Sequence, residues 1–238
     1  MTPDNTITLY KWILKEFTIA ERGKAVQKIG RHLAPLVRAG DQILDLCCGT
    51  GPASFWFEER GAAVTAIDFA PYMIALARDA ASKRNSLVKF IEGDIFKYDF
   101  GQDRYDLVAC LGNSISDFSL SAFVALGKKV AKALKPSGRF VVQYHDGSYP
   151  FYKKDYMWAG VLQETPERVT FVFKEYLPEQ GAYVKIYRNE TLGEEYQRIG
   201  YIYTVLMMHS AMNGILDIEQ HIGLDADHFL DVFTKPGR

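Results

Sequence analysis

The segment from Ile43 to Gly51 holds the residue types best suited to binding a ligand. An apolar run containing Asp45 leads directly into Gly49, Thr50 and Gly51. Glycines allow the backbone to turn sharply and let a ligand approach it closely. Because parallel sheets bind ligands at the carboxyl ends of their strands, the pattern predicts a strand followed by a ligand-binding turn.

Two further acids lie where later strands are expected to end. Asp68 closes the run AVTAID, and Asp94 lies in the segment EGDI. The spacing Gly49-x-Gly51-x-x-Ser54 approximates a dinucleotide fingerprint, with serine in place of the third glycine and Asp68 where a ribose-binding acid would lie. A carboxylate at position 45 would face a pyrophosphate unfavourably, so three strand-end acids favour a cationic, phosphate-free ligand.

Alternating β and α patterns predict the elements that position these residues. We expect a doubly wound, mostly parallel, seven-stranded α/β sheet of the Rossmann-like kind. Helical spacing between residues 8 and 38 predicts two helices separated at Gly23. Pro136 and Gly138 are expected to stop a helix before the fifth strand. The predicted strands are 42–47, 63–68, 88–91, 105–111, 139–144, 216–220 and 229–233, and the later helices are 53–60, 72–83, 121–134 and 204–212.

The pattern changes after Asp146. An aromatic segment with turn-forming residues predicts a loop, and Tyr152 and Trp158 are examples of its side chains. Three β-rich runs follow, at 168–177, 182–191 and 196–203, and predict an antiparallel meander. We expect residues 1–238 to form one domain, with 147–203 as an inserted antiparallel piece that forms an acceptor site or lid.

Five segments together resemble one family. DLCCGTG, AIDFAPYMIALAR, GDIFKYDF, YDLVACLGNS and LKPSGRFVV are similar to the successive motifs of class I S-adenosylmethionine-dependent methyltransferases, over residues 41 to 145. The segment CLGNS resembles glycine and sarcosine N-methyltransferases, and the insertion resembles that of amino-sugar N-methyltransferases. The resemblance implies S-adenosyl-L-methionine as cofactor.

The resemblance also implies roles for individual residues. The acid at 45 and the glycine turn would hold the methionine portion, the acid at 68 the ribose, and residues 69, 94 and 95 the adenine. An N-terminal tyrosine would close over the cofactor. The full implied set is Tyr10, Asp45, Cys48, Gly49, Thr50, Gly51, Asp68, Phe69, Met73, Asp94, Ile95, Leu111, Gly112 and Asn113.

His145, just past the fifth strand, is the candidate catalytic base, and Tyr144 could orient it or bind substrate. His209 and His221 are not assigned catalytic roles. We expect methyl transfer to a small molecule, with nitrogen slightly favoured over oxygen as the acceptor atom. A macromolecular acceptor, a nicotinamide-dependent oxidoreductase and a cofactor-binding regulator without catalysis remain alternatives.

The composition and charge of the chain limit the kinds of binding partner that we expect. The net charge is -1, and no Lys/Arg-rich run occurs, so we expect no nucleic-acid or membrane partner. Cys47, Cys48 and Cys110 have neither the number of a disulfide framework nor the spacing of a zinc site, and we expect no metal. The N-terminal residues lack the pattern of a signal peptide, which predicts a cytoplasmic protein. The sequence leaves open whether the chain forms a homo-oligomer.

Overall fold

The computed structural model describes residues 19–148, 159–164 and 167–236. Helices within these ranges are α1 Ile19–Leu33, α2 Pro52–Glu58, α3 Pro71–Lys83, α4 Leu120–Ala133 and α5 Val205–Met212. Strands are β1 Gln42–Leu46, β2 Ala63–Asp68, β3 Lys89–Glu92, β4 Tyr105–Cys110, β5 Leu134–His145, β6 Ala159–Gln163, β7 Val169–Leu177, β8 Ala182–Asn189, β9 Glu194–Tyr201, β10 Asp217–Gly223 and β11 His228–Thr234.

Seven strands form sheet A in the order β10-β11-β5-β4-β1-β2-β3. Strands β1 to β5 pair in parallel, whereas β11 pairs antiparallel with both of its neighbours. The chain order reverses at β1, between β2 and β4, and this is the switch point at which open α/β sheets bind ligands. The predicted doubly wound, mostly parallel sheet is confirmed.

Helices cover both faces of sheet A. Ile43 of β1 belongs to the apolar core shared with α1, α2 and α3, whereas its neighbour Leu44 belongs to the core shared with α4 and α5. Both side chains are fully buried. The continuous apolar run at β1 follows from this burial on two faces.

Two predicted boundaries were wrong. Helix α1 continues through Gly23, because an isolated glycine weakens a helix by only about 1 kcal/mol relative to alanine. Pro136 and Gly138 lie inside β5, which begins at Leu134. The register between β4 and β5 shifts after Tyr105, and this irregularity accommodates a proline that cannot donate a ladder hydrogen bond.

Four antiparallel strands form sheet B, in the order β6-β7-β8-β9. The three predicted β-rich runs correspond to β7, β8 and β9, whereas β6 was missed because it falls next to the predicted loop. The aromatic residues from Tyr149 to Trp158 lie outside the described residues. That residues 147–203 are an insertion into one domain stays a prediction. In the part of the chain that the structure describes, no helix is long and apolar enough to cross a membrane.

Candidate active site

The turn after β1 has the left-handed backbone that its glycines allow. Cys47, Gly49 and Gly51 have φ angles of 55°, 56° and 83°. A Cβ atom at position 51 would lie 2.5 Å from Cζ of Phe90, so a side chain there would require the Phe90 ring to move. The hydroxyl of Thr50 is buried and has no hydrogen-bond partner among the described residues. An orphaned polar atom at such a turn points to a ligand that completes its bonding.

Asp45 lies beneath this turn. Its side chain is buried, and its Oδ2 accepts a hydrogen bond of 2.6 Å from the hydroxyl of Ser54 in α2. Burial raises the pKa of Asp45 to about 7, against the lowering effect of Ser54, and the nearby charge of Asp68 raises it further. A cationic group above the turn would favour the ionised form of this carboxyl.

Asp68, at the end of β2, is hydrogen-bonded directly to the turn that follows β1. Its Oδ2 accepts from the backbone N–H of Gly49 at 2.8 Å, and its Oδ1 accepts from the N–H of Ala70 at 2.9 Å. The side chain is buried. Asp68 therefore fixes the spacing between the ends of β1 and β2, the two strands that would flank a cofactor.

Residues predicted near the adenine surround the same edge. Phe69 follows Asp68 and is half-buried, whereas Met73 in α3 and Ile95 after β3 are buried. Asp94 is more exposed, and its Oδ1 accepts from the N–H of Phe96 at 2.9 Å. The structure thus brings Asp68, Phe69, Asp94 and Ile95 to the carboxyl ends of β2 and β3.

The segment after β4 links this edge to β5. Leu111 is buried, and Gly112 and Asn113 have φ angles of 73° and 62°. The N–H of Gly112 donates to Oε1 of Gln143, and Oδ1 of Asn113 accepts from the N–H of His145. Asn113 is therefore held against the end of β5, next to the candidate base.

A cavity of about 520 Å³ lies between this edge and sheet B. Gly112, Asn113 and His145 line it from sheet A and are the members of the predicted set that reach it. The opposite wall consists of side chains from β7, β8 and β9 of sheet B: Phe173, Tyr183, Lys185, Tyr187, Arg198 and Tyr201. Its size is typical of a small-molecule site.

His145 meets the requirement of an accessible base. Its side chain is 40% exposed and its ring centroid lies 3.6 Å from that of His228, while its Nδ1 is 3.8 Å from Oδ2 of Asp227. Burial lowers the pKa of His145 and the His228 ring lowers it further, against the opposing effect of Asp227. His145 is thus held in its neutral, proton-accepting form at neutral pH.

The structure places Tyr144 away from this cavity. Its side chain is fully buried, and its hydroxyl donates to Oδ2 of Asp231 at 2.9 Å. Successive residues of a strand point to opposite faces, so Tyr144 cannot share the direction of His145. Its buried position therefore does not support the catalytic role predicted for Tyr144. Tyr10 lies outside the described residues.

The sequence analysis missed an ion pair that ties sheet B to sheet A. Nε of Arg198 donates to Oδ1 of Asp117 at 2.9 Å, and both side chains are largely buried. Lys185 pairs with Arg198 across β8 and β9. Burial lowers the pKa of Lys185, and the charge of Arg198 lowers it further. The alternation Tyr183-x-Lys185-x-Tyr187 was the available signal for this face, whereas no local pattern predicts the partner of Arg198.

Comparison with known proteins agrees with this geometry. Residues 43–138 match the family described as "Methyltransferase domain". Demethylmenaquinone methyltransferase from Thermus thermophilus is 37% identical over 111 residues, which cover 45% of this chain and 48% of that protein. The chain spans less than half of the length of this relative and of two similar ones.

Solved structures resemble nearly the whole chain. The PH0226 protein from Pyrococcus horikoshii superimposes with a TM-score of 0.73 over 90% of each chain, at 22% identity. CalS10 from Micromonospora echinaspora, described as an amino pentose methyltransferase with S-adenosylmethionine bound, gives a TM-score of 0.61 at 20% identity, over 91% of this chain and 95% of its own. The predicted family is confirmed for residues 43–138, which match a methyltransferase domain, and the chain shares the fold of the S-adenosylmethionine-binding methyltransferase CalS10.

Proposed function

We propose that the protein transfers a methyl group from S-adenosylmethionine to a small molecule bound between sheets A and B. One observation carries this proposal. The cavity opens beside Gly112 and Asn113, which follow β4, and the glycine turn follows β1, the strand next to β4 in sheet A. A donor on the turn and an acceptor in the cavity would therefore be neighbours.

The residues at the turn fit the donor. The unpartnered hydroxyl of Thr50 supplies a hydrogen-bonding group, Asp68 supplies a buried carboxylate for the ribose hydroxyls, and Asp45 lies where a positive charge would stabilise its anion. The donor supplies a methyl group on a sulfonium sulfur, a good leaving group. The protein then needs to hold the reactants in line, which contributes about 7–11 kcal/mol in favourable cases.

His145 would accept the proton that the acceptor releases. It lines the cavity, and its lowered pKa keeps it neutral. The aromatic face of sheet B would cover the acceptor and exclude water. This assigns the acceptor wall to the segment predicted as an insertion.

We favour nitrogen over oxygen as the acceptor atom because of the charges around the cavity. Its lining includes Asp117, Asp146 and Asp227 against Lys185 and Arg198. The Asp117 carboxylate is paired with Arg198, whereas Asp146 and Asp227, beside His145, have no Lys or Arg partner among the described residues, and their negative charge would attract an amine.

Calorimetry tests the donor site. We expect S-adenosylmethionine and S-adenosylhomocysteine to bind at micromolar concentrations and NAD not to bind. Because the pKa of Asp45 is about 7, binding of the ligand ammonium should release a proton, and the measured enthalpy should depend on the buffer near pH 7. Tight NAD binding would refute the proposal.

Mass spectrometry tests the acceptor site. The protein and S-adenosylmethionine are incubated with amino sugars, small amines, phenols and quinols. Methylated amines would support the full proposal, whereas products from phenols or quinols alone would correct the acceptor atom. A chain that binds the donor but methylates only protein or nucleic acid would contradict the assignment of the cavity.

A further inference from the structure

Two histidines and an aspartate converge on one face of sheet A, away from the cavity. His209 is on α5, His221 on β10 and Asp231 on β11. Oδ1 of Asp231 lies 2.6 Å from Nδ1 of His221, and its Oδ2 lies 3.3 Å from Nε2 of His209. The two imidazole rings meet edge to face, with centroids 5.2 Å apart. Three ligand atoms of a kind that binds transition metals thus lie together.

Nε2 of His209 is buried and lies 3.3 Å from Oδ2 of Asp231, yet it has no hydrogen-bond partner among the residues that the structure describes. A nitrogen and an oxygen that both bind one tetrahedral zinc ion at about 2.0–2.1 Å are about 3.3 Å apart. The spacing therefore suits two atoms directed at a common third point better than a hydrogen bond between them.

The carboxylate of Asp231 has no Lys or Arg partner among the described residues. Its side chain is fully buried in the sheet. Among the described residues, the basic groups within 4.0 Å of it are His209 and His221. Buried charges in proteins are paired or bind metals. The hydroxyl of Tyr144 donates to the same carboxylate, as groups around a metal ligand commonly do to orient it.

The His221 side chain is exposed enough to change its orientation and act as a further zinc ligand. Its side chain is 35% exposed at the outer strand of sheet A, and its ring stacks on Phe229 with an interplanar angle of 17°. Nδ1 of His221 is hydrogen-bonded to Oδ1 of Asp231 at 2.6 Å, which is shorter than the spacing of two zinc ligands, so zinc binding requires the His221 ring to turn away from Oδ1 towards the ion. The partial exposure of the two histidines leaves a path for the ion and for a water as fourth ligand.

A second group, His145, Asp227 and His228, has similar ligand types. There, Nδ1 of His228 is already hydrogen-bonded to Asp225 at 2.6 Å and to Asp227 at 3.1 Å. None of the described nitrogens of this group is both buried and unpartnered, as Nε2 of His209 is, and the group is therefore the weaker candidate.

We propose that His209, His221 and Asp231 bind one zinc ion, a site distinct from the proposed methyl-transfer centre and independent of it. The ion joins α5 to the hairpin of β10 and β11. Because α5 is the first helix after sheet B, the site fixes where the chain from sheet B rejoins sheet A. No metal was expected from the sequence, because the cysteines lack the spacing of a zinc site and these three residues, 12 and 10 positions apart, follow no common metal-binding motif.

The test uses the full chain purified without a histidine tag and stripped with EDTA. Zinc is titrated in competition with a chromophoric chelator, and cobalt is added separately to record its visible absorption. We expect one zinc per chain and a tetrahedral cobalt spectrum. At zinc concentrations about a hundredfold above Kd, the melting temperature should rise by about 5–10 °C.

Variants locate the site. His221→Ala changes a partly exposed side chain and should fold, and His209→Ala provides a second measurement; each should bind zinc at least about a hundredfold more weakly. His32→Ala on α1 and His228→Ala in the second group are matched controls and should bind as wild type does. Absent zinc binding in the wild-type chain, unchanged affinity in both site variants, or loss of binding in His228→Ala would each overturn the proposal.

Discussion

Replacing Asp68 by asparagine tests the cofactor site most directly. In the proposed complex the carboxylate accepts the ribose hydroxyls in addition to the N–H groups of Gly49 and Ala70. Asparagine keeps the size but loses the charge and one acceptor oxygen. A hydrogen bond to a charged group contributes about 1.5–3 kcal/mol, so the cofactor Kd should rise roughly 10- to 150-fold.

The same change has a cost within the protein. One of the two N–H groups would face the amide NH₂ of the asparagine, and an unpaired buried donor costs about 1–3 kcal/mol. A domain is typically stable by about 5–15 kcal/mol, so the variant should fold, with a melting temperature lower by several degrees. Alanine would leave both N–H groups unpaired, which makes asparagine the better substitution.

Calorimetry with S-adenosylhomocysteine measures the affinity, and circular dichroism checks the fold. Glu92→Gln is the matched control, because Glu92 is the exposed acid that pairs with Asp68 in the register of β2 and β3. A folded Asp68→Asn variant that binds within threefold of wild type would refute the reasoning. An equal loss in the control would show that the effect is one of general charge.

Three further predictions concern the base, the ion pair and the turn. His145→Gln should lower turnover of an amine acceptor most in the pH range in which the acceptor is protonated and His145 is still neutral. Because the pKa of His145 is lowered, this range extends below the ordinary histidine pKa of about 6.5, and the difference between variant and wild type should vanish at still lower pH, as pH–rate profiles will show. Arg198→Gln leaves Asp117 without its charge partner and should cost about 1–3 kcal/mol in denaturant unfolding and raise the acceptor KM, with cofactor affinity unchanged. Gly51→Ala should destabilise the protein by more than the roughly 1–2 kcal/mol expected for Gly40→Ala, whose φ is 90° but whose surroundings are open.

Each of these has a contrary result. An identical pH–rate profile in His145→Gln would exclude His145 as the base. Weakened S-adenosylhomocysteine binding in Arg198→Gln would place the ion pair in the cofactor site. Equal destabilisation of the two glycine variants would show that the contact with Phe90 relaxes without cost.

Sequence periodicity predicted the parts of the fold that depend on local patterns. The strand, glycine turn and helix around Asp45 could be predicted because apolar run, acid and glycines are consecutive in sequence. The position of the Tyr144 side chain was not predicted correctly, because neighbouring residues of a strand point to opposite faces and Tyr144 therefore points away from His145. Arg198 and Asp117 meet although they are far apart in the chain, and the three residues of the proposed zinc site come together from three different elements. Such contacts depend on how sheets pack, and one sequence contains no local pattern for that.

The position of β11 has a consequence for how the chain folds. Phe140 of β5 pairs with Phe233, whereas every strand pair of sheet B joins strands that follow one another in sequence. During synthesis, sheet B can form from local hairpins soon after its residues emerge, which is fast because its contacts are near in sequence. The outer edge of β5 pairs only with β11, which is synthesised later, so the N–H and C=O groups of β5 at that edge stay unpaired until then. The nascent chain therefore passes through a stage in which sheet B is complete while sheet A still has an open edge able to pair with another strand.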